Sequence, residues 1–149
     1  MLNVTEARNT RVLGLDVGGR RIGVAICDDA RLLATPYAAI QRRDQEKDIA
    51  TIVKIVKEEE VRQVIVGLPL SLDGGIGPQA EVTLVFFKAL EAICPVPTDT
   101  WDERYSTAEA EQRLIEAGVS PSRNKSRIDA SAAAVILQSY LDSHRQASR

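Results

Sequence analysis

The sequence of 149 residues is poor in the side chains that build many active sites, with one His and two Cys. The single His144 lies five residues from the C-terminus, which argues against a Ser–His–Asp hydrolase and against a zinc site built on histidines. Cys27 and Cys94 are far apart and lack the spacing of metal ligands, so a reduced, cytoplasmic compartment is expected. The sequence also lacks an apolar run of membrane-spanning length and a signal-peptide core near its N-terminus.

Aromatic residues are scarce as well, and neither sign of charge is in large excess. Aromatic residues make up 4% of the chain, so a base-stacking sheet of the RNA-recognition type is not expected. The 19 Lys and Arg against 21 Asp and Glu give a net charge of −2. This balance neither indicates nor excludes a nucleic-acid partner, because local patches decide such binding. A nucleic acid bound here is expected to be held mainly through its phosphates.

The length and the apolar pattern predict one α/β domain over residues 1–149, with flexible tails at 1–10 and 142–149. Three closely spaced strands must form an antiparallel meander, because parallel neighbours need long crossovers; they are predicted at 12–17, 22–27 and 32–35. Two further strands, at 64–66 and 96–101, are predicted to run parallel to the first. Helical spacing appears at 49–56, 82–89, 106–114 and 132–140, and a basic, Ser-rich loop is predicted at 120–127. These elements predict a mixed five-stranded sheet with the first strand near its centre and helices on both faces.

Asp16 is a carboxylate within an otherwise apolar strand. Strand alternation places it on one face with Val12 and Gly14. Because helices cover both faces of a central strand, burying this charge costs several kcal/mol unless the carboxylate is paired or binds a cation. The simpler interpretation is a strand-end Asp that caps the turn at Gly18.

Two further carboxylates have comparable positions. Asp129 lies seven residues before Ile136 and shares the inward face of the last helix, although an Asp in a first helical turn is also favoured by the helix dipole alone. Asp102 stands at the exit of the fifth strand, and alternation points its neighbour Glu103 to the opposite side. The simpler interpretation of that segment is a polar loop.

The three carboxylates taken together predict a metal site. If Asp16, Asp102 and Asp129 converge at one end of the sheet, their mutual repulsion requires divalent cations. Ligands that are all oxygen suit Mg²⁺ or Mn²⁺. Two such ions roughly 4 Å apart can clamp the attacking and leaving oxygens of a phosphodiester, so a metal-dependent phosphodiester hydrolase is predicted.

Four motifs stand in order along the chain: GLDVGGRRIG at 14–23, GLPLSLDGGIGPQA at 67–80, DERYSTAEA at 102–110 and IDASAAAVILQ at 128–138. Together they closely resemble the YqgF/RuvX family of bacterial RNase H-like nucleases, whose members are described as pre-16S rRNA nucleases or as similar to Holliday junction resolvases. The resemblance covers roughly residues 11–141. It implies an RNase H-like fold and metal-dependent hydrolysis of phosphodiester bonds in structured nucleic acid, with processing of the 5′ end of pre-16S rRNA in ribosome biogenesis as the expected role. Carried over by position, the acidic triad of the family falls on Asp16, Asp102 and Asp129.

Five basic residues are predicted to contact the substrate: Arg20, Arg104, Arg123, Lys125 and Arg127. Arg20 follows the turn after Asp16 and either reaches a phosphate or is a solvated hairpin tip. Arg104 either grips the scissile phosphate or pairs with a carboxylate, the commoner fate of an arginine in that position. The three residues of the 120–127 loop are hard to explain by packing, and phosphate contacts there would make affinity fall with salt.

Three other functions remain open at this point. A resolvase of four-way DNA junctions would use similar chemistry, usually as a dimer, whereas this chain is expected to be a monomer or a weak homodimer. The segment LDVGG at 15–19 resembles the first phosphate motif of sugar kinases and actin-like ATPases, but those proteins use two such domains and a second Gly-rich loop. A binding module that assists ribosome assembly without catalysis is the remaining alternative. Structured RNA or branched DNA is the expected partner, and no membrane is expected.

Overall fold

A computed structural model describes residues 10–106, 108–119 and 125–147, with the backbone alone at 125–129 and 145–147. Within these described ranges, five strands and four α-helices follow one another, with a 3₁₀ turn at Glu103–Tyr105. The strands are β1 (Arg11–Val17), β2 (Arg21–Cys27), β3 (Ala34–Gln41), β4 (Val61–Leu68) and β5 (Thr98–Asp102). The helices are α1 (Gln45–Glu58), α2 (Pro78–Ile93), α3 (Ala108–Glu116) and α4 (Lys125–Ala147). Within the described ranges, no helix combines the length and apolar character needed to cross a membrane.

The five strands form one mixed sheet in the order β3-β2-β1-β4-β5. The β1–β2 and β2–β3 pairs are antiparallel, whereas β4 is parallel to β1 and β5 is parallel to β4. This topology confirms the predicted meander and the central position of β1. It brings the carboxyl ends of β1, β4 and β5 to the same edge of the sheet.

The two faces of the sheet are covered by different helices. Leu13, Leu15 and Val17 of β1 pack in a core that also contains apolar side chains of α1 and α2. Val12, on the other face, packs in a second core with Leu137 and other side chains of α4. Alternation therefore assigns Asp16 to the face covered by α4, as the sequence predicted.

Helix α1 has clear signals in the sequence for its start. Asp44 is the N-cap, and its side chain accepts a hydrogen bond of 2.8 Å from the backbone N–H of Lys47. Asp48 in the first turn is buried, pairs with Arg42 at 3.2 Å and accepts a 3.0 Å bond from the Arg43 N–H. These bonds also fix the chain between β3 and α1.

Several boundaries differ from those predicted. The strand expected at 32–35 is displaced to Ala34–Gln41, because the Asp28 side chain accepts a 2.8 Å bond from the Leu32 N–H and holds the preceding turn. The edge position of β3 tolerates Pro36, which cannot donate to a strand partner on its outer side. The prediction of a loop at 120–127 is wrong from Lys125 onward, because α4 begins there.

The last helix also differs in its inward face and in its length. Ala132 is exposed and Ala133 is fully buried, so the inward face is rotated slightly from the predicted one. Helix α4 continues to Ala147, past the point at 142 where the sequence predicted a tail. Asp142 accepts a bond from Gln138 and the His144 ring stacks on Tyr140 at 3.9 Å, and these contacts explain the longer helix.

Helix α4 packs on β1 at unusually short range because the strand carries a glycine there. A Cβ atom at Gly14 would lie 2.8 Å from Leu137 Cβ and 3.4 Å from the Ala133 carbonyl oxygen. Both neighbours belong to the helix rather than to a flexible side-chain end. A side chain at this position would therefore have to push α4 away from the sheet.

The first prediction concerns this close approach. Gly14→Ala is expected to reduce the free energy of unfolding by about 1–3 kcal/mol, because overpacking forces the helix to shift. Gly19→Ala is the matched control, since no atom lies within 4 Å of a Cβ at Gly19; a change within about 0.5 kcal/mol is expected there. Chemical denaturation of the three proteins measures both values. Equal stability of Gly14→Ala and the unmodified protein would show that α4 can move at no cost.

Candidate metal and nucleic-acid site

Asp16 lies near the carboxyl end of β1, on the face covered by α4. Its partner in β2 is Gly23, and the parallel register pairs Leu15 with Val66 of β4. Continued by one residue, that register places Gly67 beside Asp16. Two glycines therefore flank the carboxylate across the sheet, and they leave space above the strands at this point.

The Glu103 side chain occupies the space above Gly67. A Cβ atom at Gly67 would lie 3.1 Å from Glu103 Oε2, 3.2 Å from Glu103 Cγ and 2.8 Å from Ile136 Cδ1. Glu103 follows the end of β5 and opens the 3₁₀ turn, so its side chain returns over β4 toward β1. The carboxylate thus lies between the sheet and α4, beside Ile136.

The surroundings of Glu103 favour its neutral form. Burial, the negative charge of Asp16 and the negative charge of Asp102, in that order of size, together raise the pKa of its carboxyl from 4.5 to about 7. Asp102 is adjacent in sequence, yet Asp16, from a distant part of the chain, has the larger effect. The position of Glu103 above Gly67 agrees with this, since it places the carboxylate on the same face of the sheet as Asp16.

Asp102 is held by an arginine. Its carboxylate accepts bonds from Arg104 Nε at 3.0 Å and from Arg104 Nη2 at 2.6 Å, and it also accepts the backbone N–H of Arg104 at 2.9 Å. These hydrogen bonds lower the pKa of Asp102 below its usual value. This pairing is the commoner fate of an arginine in that position, and the predicted contact of Arg104 with the substrate stays a prediction. The same guanidinium donates a 3.3 Å bond to the carbonyl of Leu72, in the loop after β4.

Asp129, the third predicted acid, lies in the first turns of α4, four residues before the buried Ala133. Its side chain is outside the described part of the structure. Among the side chains that the structure describes, no three Asp, Glu, His or Cys residues form a group able to hold a metal ion. A complete site would therefore require a further carboxylate, and the position of Asp129 on α4 is the one the sequence predicts for it.

The predicted substrate-binding residues fall into two groups. Arg20 is exposed in the β1–β2 turn, and that turn is fixed by the Gly18 N–H, which donates to the Arg21 carbonyl at 2.9 Å. Lys125 and Arg127 belong to the first turn of α4, with only their backbones described, and Arg123 lies outside the described residues. The contacts of these last three side chains stay predictions.

Known proteins resemble the chain over nearly its whole length. A family model described as RuvX, Holliday junction resolvase, matches residues 10–143. The chain belongs to the RuvX family. A relative from Chloroflexus aggregans named pre-16S rRNA nuclease is 47% identical over 134 residues, covering 90% of this chain and 94% of the relative. A relative from Halothermothrix orenii with the same name is 46% identical over 132 residues, covering 89% and 94%.

Solved structures confirm the RNase H-like fold that the resemblance implied for this RuvX family member. RuvC of T. thermophilus in complex with a Holliday junction substrate superposes with a TM-score of 0.63 at 14% identity, covering 92% of this chain and 96% of RuvC. The Holliday junction resolvase of fowlpox virus gives a TM-score of 0.52 at 12% identity, covering 90% and 99%. At these identities the likeness establishes the architecture alone.

Glu103 is the acidic residue that sequence reasoning did not place in the site. The available signal was alternation at the end of β5, which points residues 102 and 103 to opposite sides. The sequence alone does not reveal which side faces Asp16, because that depends on the register of β5 against β4. In the structure Leu68 pairs with Asp102, and Glu103 is the residue that turns onto the α4 face.

The second prediction follows from the pKa of Glu103. The pKa of Glu103 is about 7 in the folded protein and 4.5 ordinarily, so the protonated form of Glu103 stabilises the fold. This stabilisation is complete below pH 4.5 and is lost as the pH rises through 7. Glu103→Gln stays neutral, so at pH 8 the metal-free variant is expected to be more stable than the unmodified protein by about 1–2 kcal/mol, after allowance for solvent screening.

Chemical denaturation in the presence of a chelator measures this difference at pH 5 and pH 8. Glu91→Gln, an exposed position on α2, is the control and is expected to show no pH-dependent difference. A stability difference for Glu103→Gln that stays the same at both pH values would contradict the raised pKa.

Proposed function

We propose that this RuvX family member is a divalent-metal-dependent nuclease that hydrolyses phosphodiester bonds in structured RNA. Its expected role is to process the 5′ end of pre-16S rRNA during ribosome biogenesis in the cytoplasm. The observation that carries the proposal is the position of the Glu103 side chain above Gly67, under α4 and on the same face of the sheet as Asp16, whose negative charge makes ionisation of Glu103 more costly. The relatives named pre-16S rRNA nuclease support the choice of substrate.

The described residues fit a hard divalent cation. Glu103 is partly desolvated and lies beside a second negative charge, an arrangement that a cation stabilises. The donors are oxygen atoms, the ligand type that Mg²⁺ and Mn²⁺ prefer. Asp16 and Glu103 would hold the ion or ions, with Asp129 as the further ligand from α4. When bound, such ions neutralise charge on the scissile phosphate and lower the pKa of the attacking water.

The other residues of the site bind the substrate backbone or hold neighbouring groups in position. Hydrolysis forms one P–O bond from water and breaks the P–O bond to a sugar oxygen. Because the scissile phosphate has to reach the proposed metal ligands, the substrate backbone must pass along the exposed edge of the site. Arg20, exposed in the β1–β2 turn, would contact a neighbouring phosphate on one side. Arg104 keeps Asp102 and the Leu72 loop in fixed positions on the other side. The sequence predicted Asp102 as a metal ligand; because its carboxylate is paired with Arg104, we propose a positioning role for it instead.

Resolution of four-way DNA junctions is the second candidate function. One observation favours it: the description of the matched family as a Holliday junction resolvase. Symmetric cleavage of two strands requires two active sites, so this function predicts a dimer in solution. A strictly monomeric protein would count against it.

The third prediction is a cleavage test of the proposed function. The unmodified protein and Asp16→Asn are compared on an rRNA-precursor mimic, single-stranded RNA, an RNA–DNA hybrid and a four-way DNA junction, with Mg²⁺, with Mn²⁺ and with a chelator. Cleavage of the precursor mimic is expected only with a metal ion, and Asp16→Asn is expected to lose more than ~100-fold of the rate. Metal-independent cleavage or an unaffected variant would overturn the proposal, and cleavage confined to the junction would favour the resolvase.

The fourth prediction separates Glu103 from its neighbour. Glu103→Gln is expected to reduce cleavage more than ~100-fold, as Asp16→Asn does, because both remove a proposed metal ligand. Asp102→Asn is expected to reduce it by about tenfold, since that side chain positions Arg104. Asp99→Asn, at an exposed position earlier in β5, is the matched control with unchanged activity. A larger loss for Asp102→Asn than for Glu103→Gln would reverse the two roles.

A further inference from the structure

A mixed polar and aromatic cavity lies next to the proposed site, beyond the edge strand β5. It has a volume of about 480 Å³ and is lined mainly by Trp101, Arg104, Tyr105, Arg113, Ser139 and Asp142. Sites for small ligands have volumes of about 300–1,000 Å³. We refer to this space as the Trp101 cavity; it lies between the 3₁₀ turn, α3 and α4.

The indole ring of Trp101 is held rigidly on one side of the cavity. Its Nε1 donates a 2.7 Å bond to Ser139 Oγ, and the ring meets Tyr140 edge to face at 5.3 Å. Tyr140 is in turn fixed by Gln63, whose side chain donates a 2.8 Å bond to the Tyr140 hydroxyl. A ring fixed in this way loses little conformational entropy when a ligand stacks on it.

Tyr105 is the second ring of this aromatic wall. Its ring centroid lies 5.3 Å from that of Trp101, with an angle of 54° between the planes. The residue is 55% exposed, which is high for an aromatic side chain. The chain has only one Trp, three Tyr and two Phe. Packing does not explain this exposure, because the ring covers the cavity instead of the core.

Two arginines and the acidic Glu109 also line the cavity. Arg104 reaches from it to the carboxylate of Asp102 at 2.6 Å, and Arg113 contacts Asp142 at 3.5 Å with 49% of its own side chain exposed. Guanidinium groups donate to phosphates and to base carbonyls and stack on planar rings. Aromatic faces combined with arginines at the border of a cavity are the chemistry by which proteins hold an unstacked base.

We propose that the Trp101 cavity binds one unpaired nucleobase of the substrate, placed beside the position of cleavage. This inference rests on the proposed nuclease function. Trp101, Arg104 and Tyr105 lie within two residues of Glu103 in the chain, so a strand whose phosphate reaches Glu103 has its neighbouring nucleotide at the cavity. A base within a duplex is stacked on both faces and cannot enter, and the cavity therefore selects a bulged, looped or extruded nucleotide.

The single tryptophan provides a direct test, because its fluorescence reports on this cavity alone. The unmodified protein is titrated, in the presence of a chelator, with an RNA hairpin that carries one unpaired adenosine and with the fully paired hairpin. Saturable quenching is expected with the bulged hairpin at about tenfold higher affinity than with the paired one. Tyr105→Leu is expected to lose that preference, whereas Tyr105→Phe keeps it because the ring remains.

Tyr37→Leu is the matched control, an exposed tyrosine on β3 away from the cavity, and is expected to keep full preference for the bulge. Equal affinity for both hairpins, or full preference in Tyr105→Leu, would overturn the proposal. Cleavage with Mg²⁺ is measured in parallel on the same proteins. If quenching depends on Tyr105 but the protein cleaves no RNA, the cavity proposal stands and the nuclease function is rejected. If the protein cleaves RNA and Tyr105→Leu changes neither quenching nor cleavage, the nuclease function stands and the cavity proposal is rejected.

Discussion

The close packing of α4 on the sheet is the constraint on which the proposed site depends. The helix crosses β1 at Gly14 and β4 at Gly67, where a Cβ atom would lie only 2.8 Å from Leu137 Cβ and from Ile136 Cδ1, respectively. Because the strands carry no side chains at these points, α4 covers the carboxyl ends of β1 and β4 directly. That cover removes water from Glu103, and desolvation is the largest cause of its raised pKa. The negative charge of Asp16 is the second cause of that raised pKa.

Most of the fold could be predicted from the sequence because its signals are local. The apolar run of β1, the tight turn after it and the alternation that isolates Asp16 are visible in ten residues. Asp44 as an N-cap and the spacing of Ile49 and Ile52 likewise indicate α1. The extent of β3 could not be predicted, because Pro36 signals a strand end unless the strand lies at an edge. Glu103 could not be placed either, since its direction depends on how β5 pairs with β4, a contact between distant segments.

Arg104 links three features that would otherwise be independent. Its guanidinium binds Asp102, contacts the carbonyl of Leu72 and lines the Trp101 cavity. The side chain of Leu72 is 96% exposed and contributes little packing to the loop after β4. The hydrogen bond from Arg104 to the Leu72 carbonyl therefore helps to hold the tip of that loop against the end of β5. A change at Arg104 therefore alters the loop, the cavity and the position of Asp102 together. The effect of such a change on activity would not identify which of the three contacts the reaction needs.

The low aromatic content of the chain and a base-binding cavity are compatible, because composition does not determine where the few aromatic residues lie. An RNA-recognition sheet needs stacking side chains spread over one open face, and here both faces of the sheet are covered by helices. Contacts to phosphates alone bind paired and unpaired strands alike, since the backbone carries the same charge in both. One aromatic wall beside the carboxylates adds discrimination between paired and unpaired strands, because only a locally unpaired strand offers an unstacked base to the cavity. Placing that wall within two residues of Glu103 makes the selection of structure and the position of cleavage depend on the same short segment.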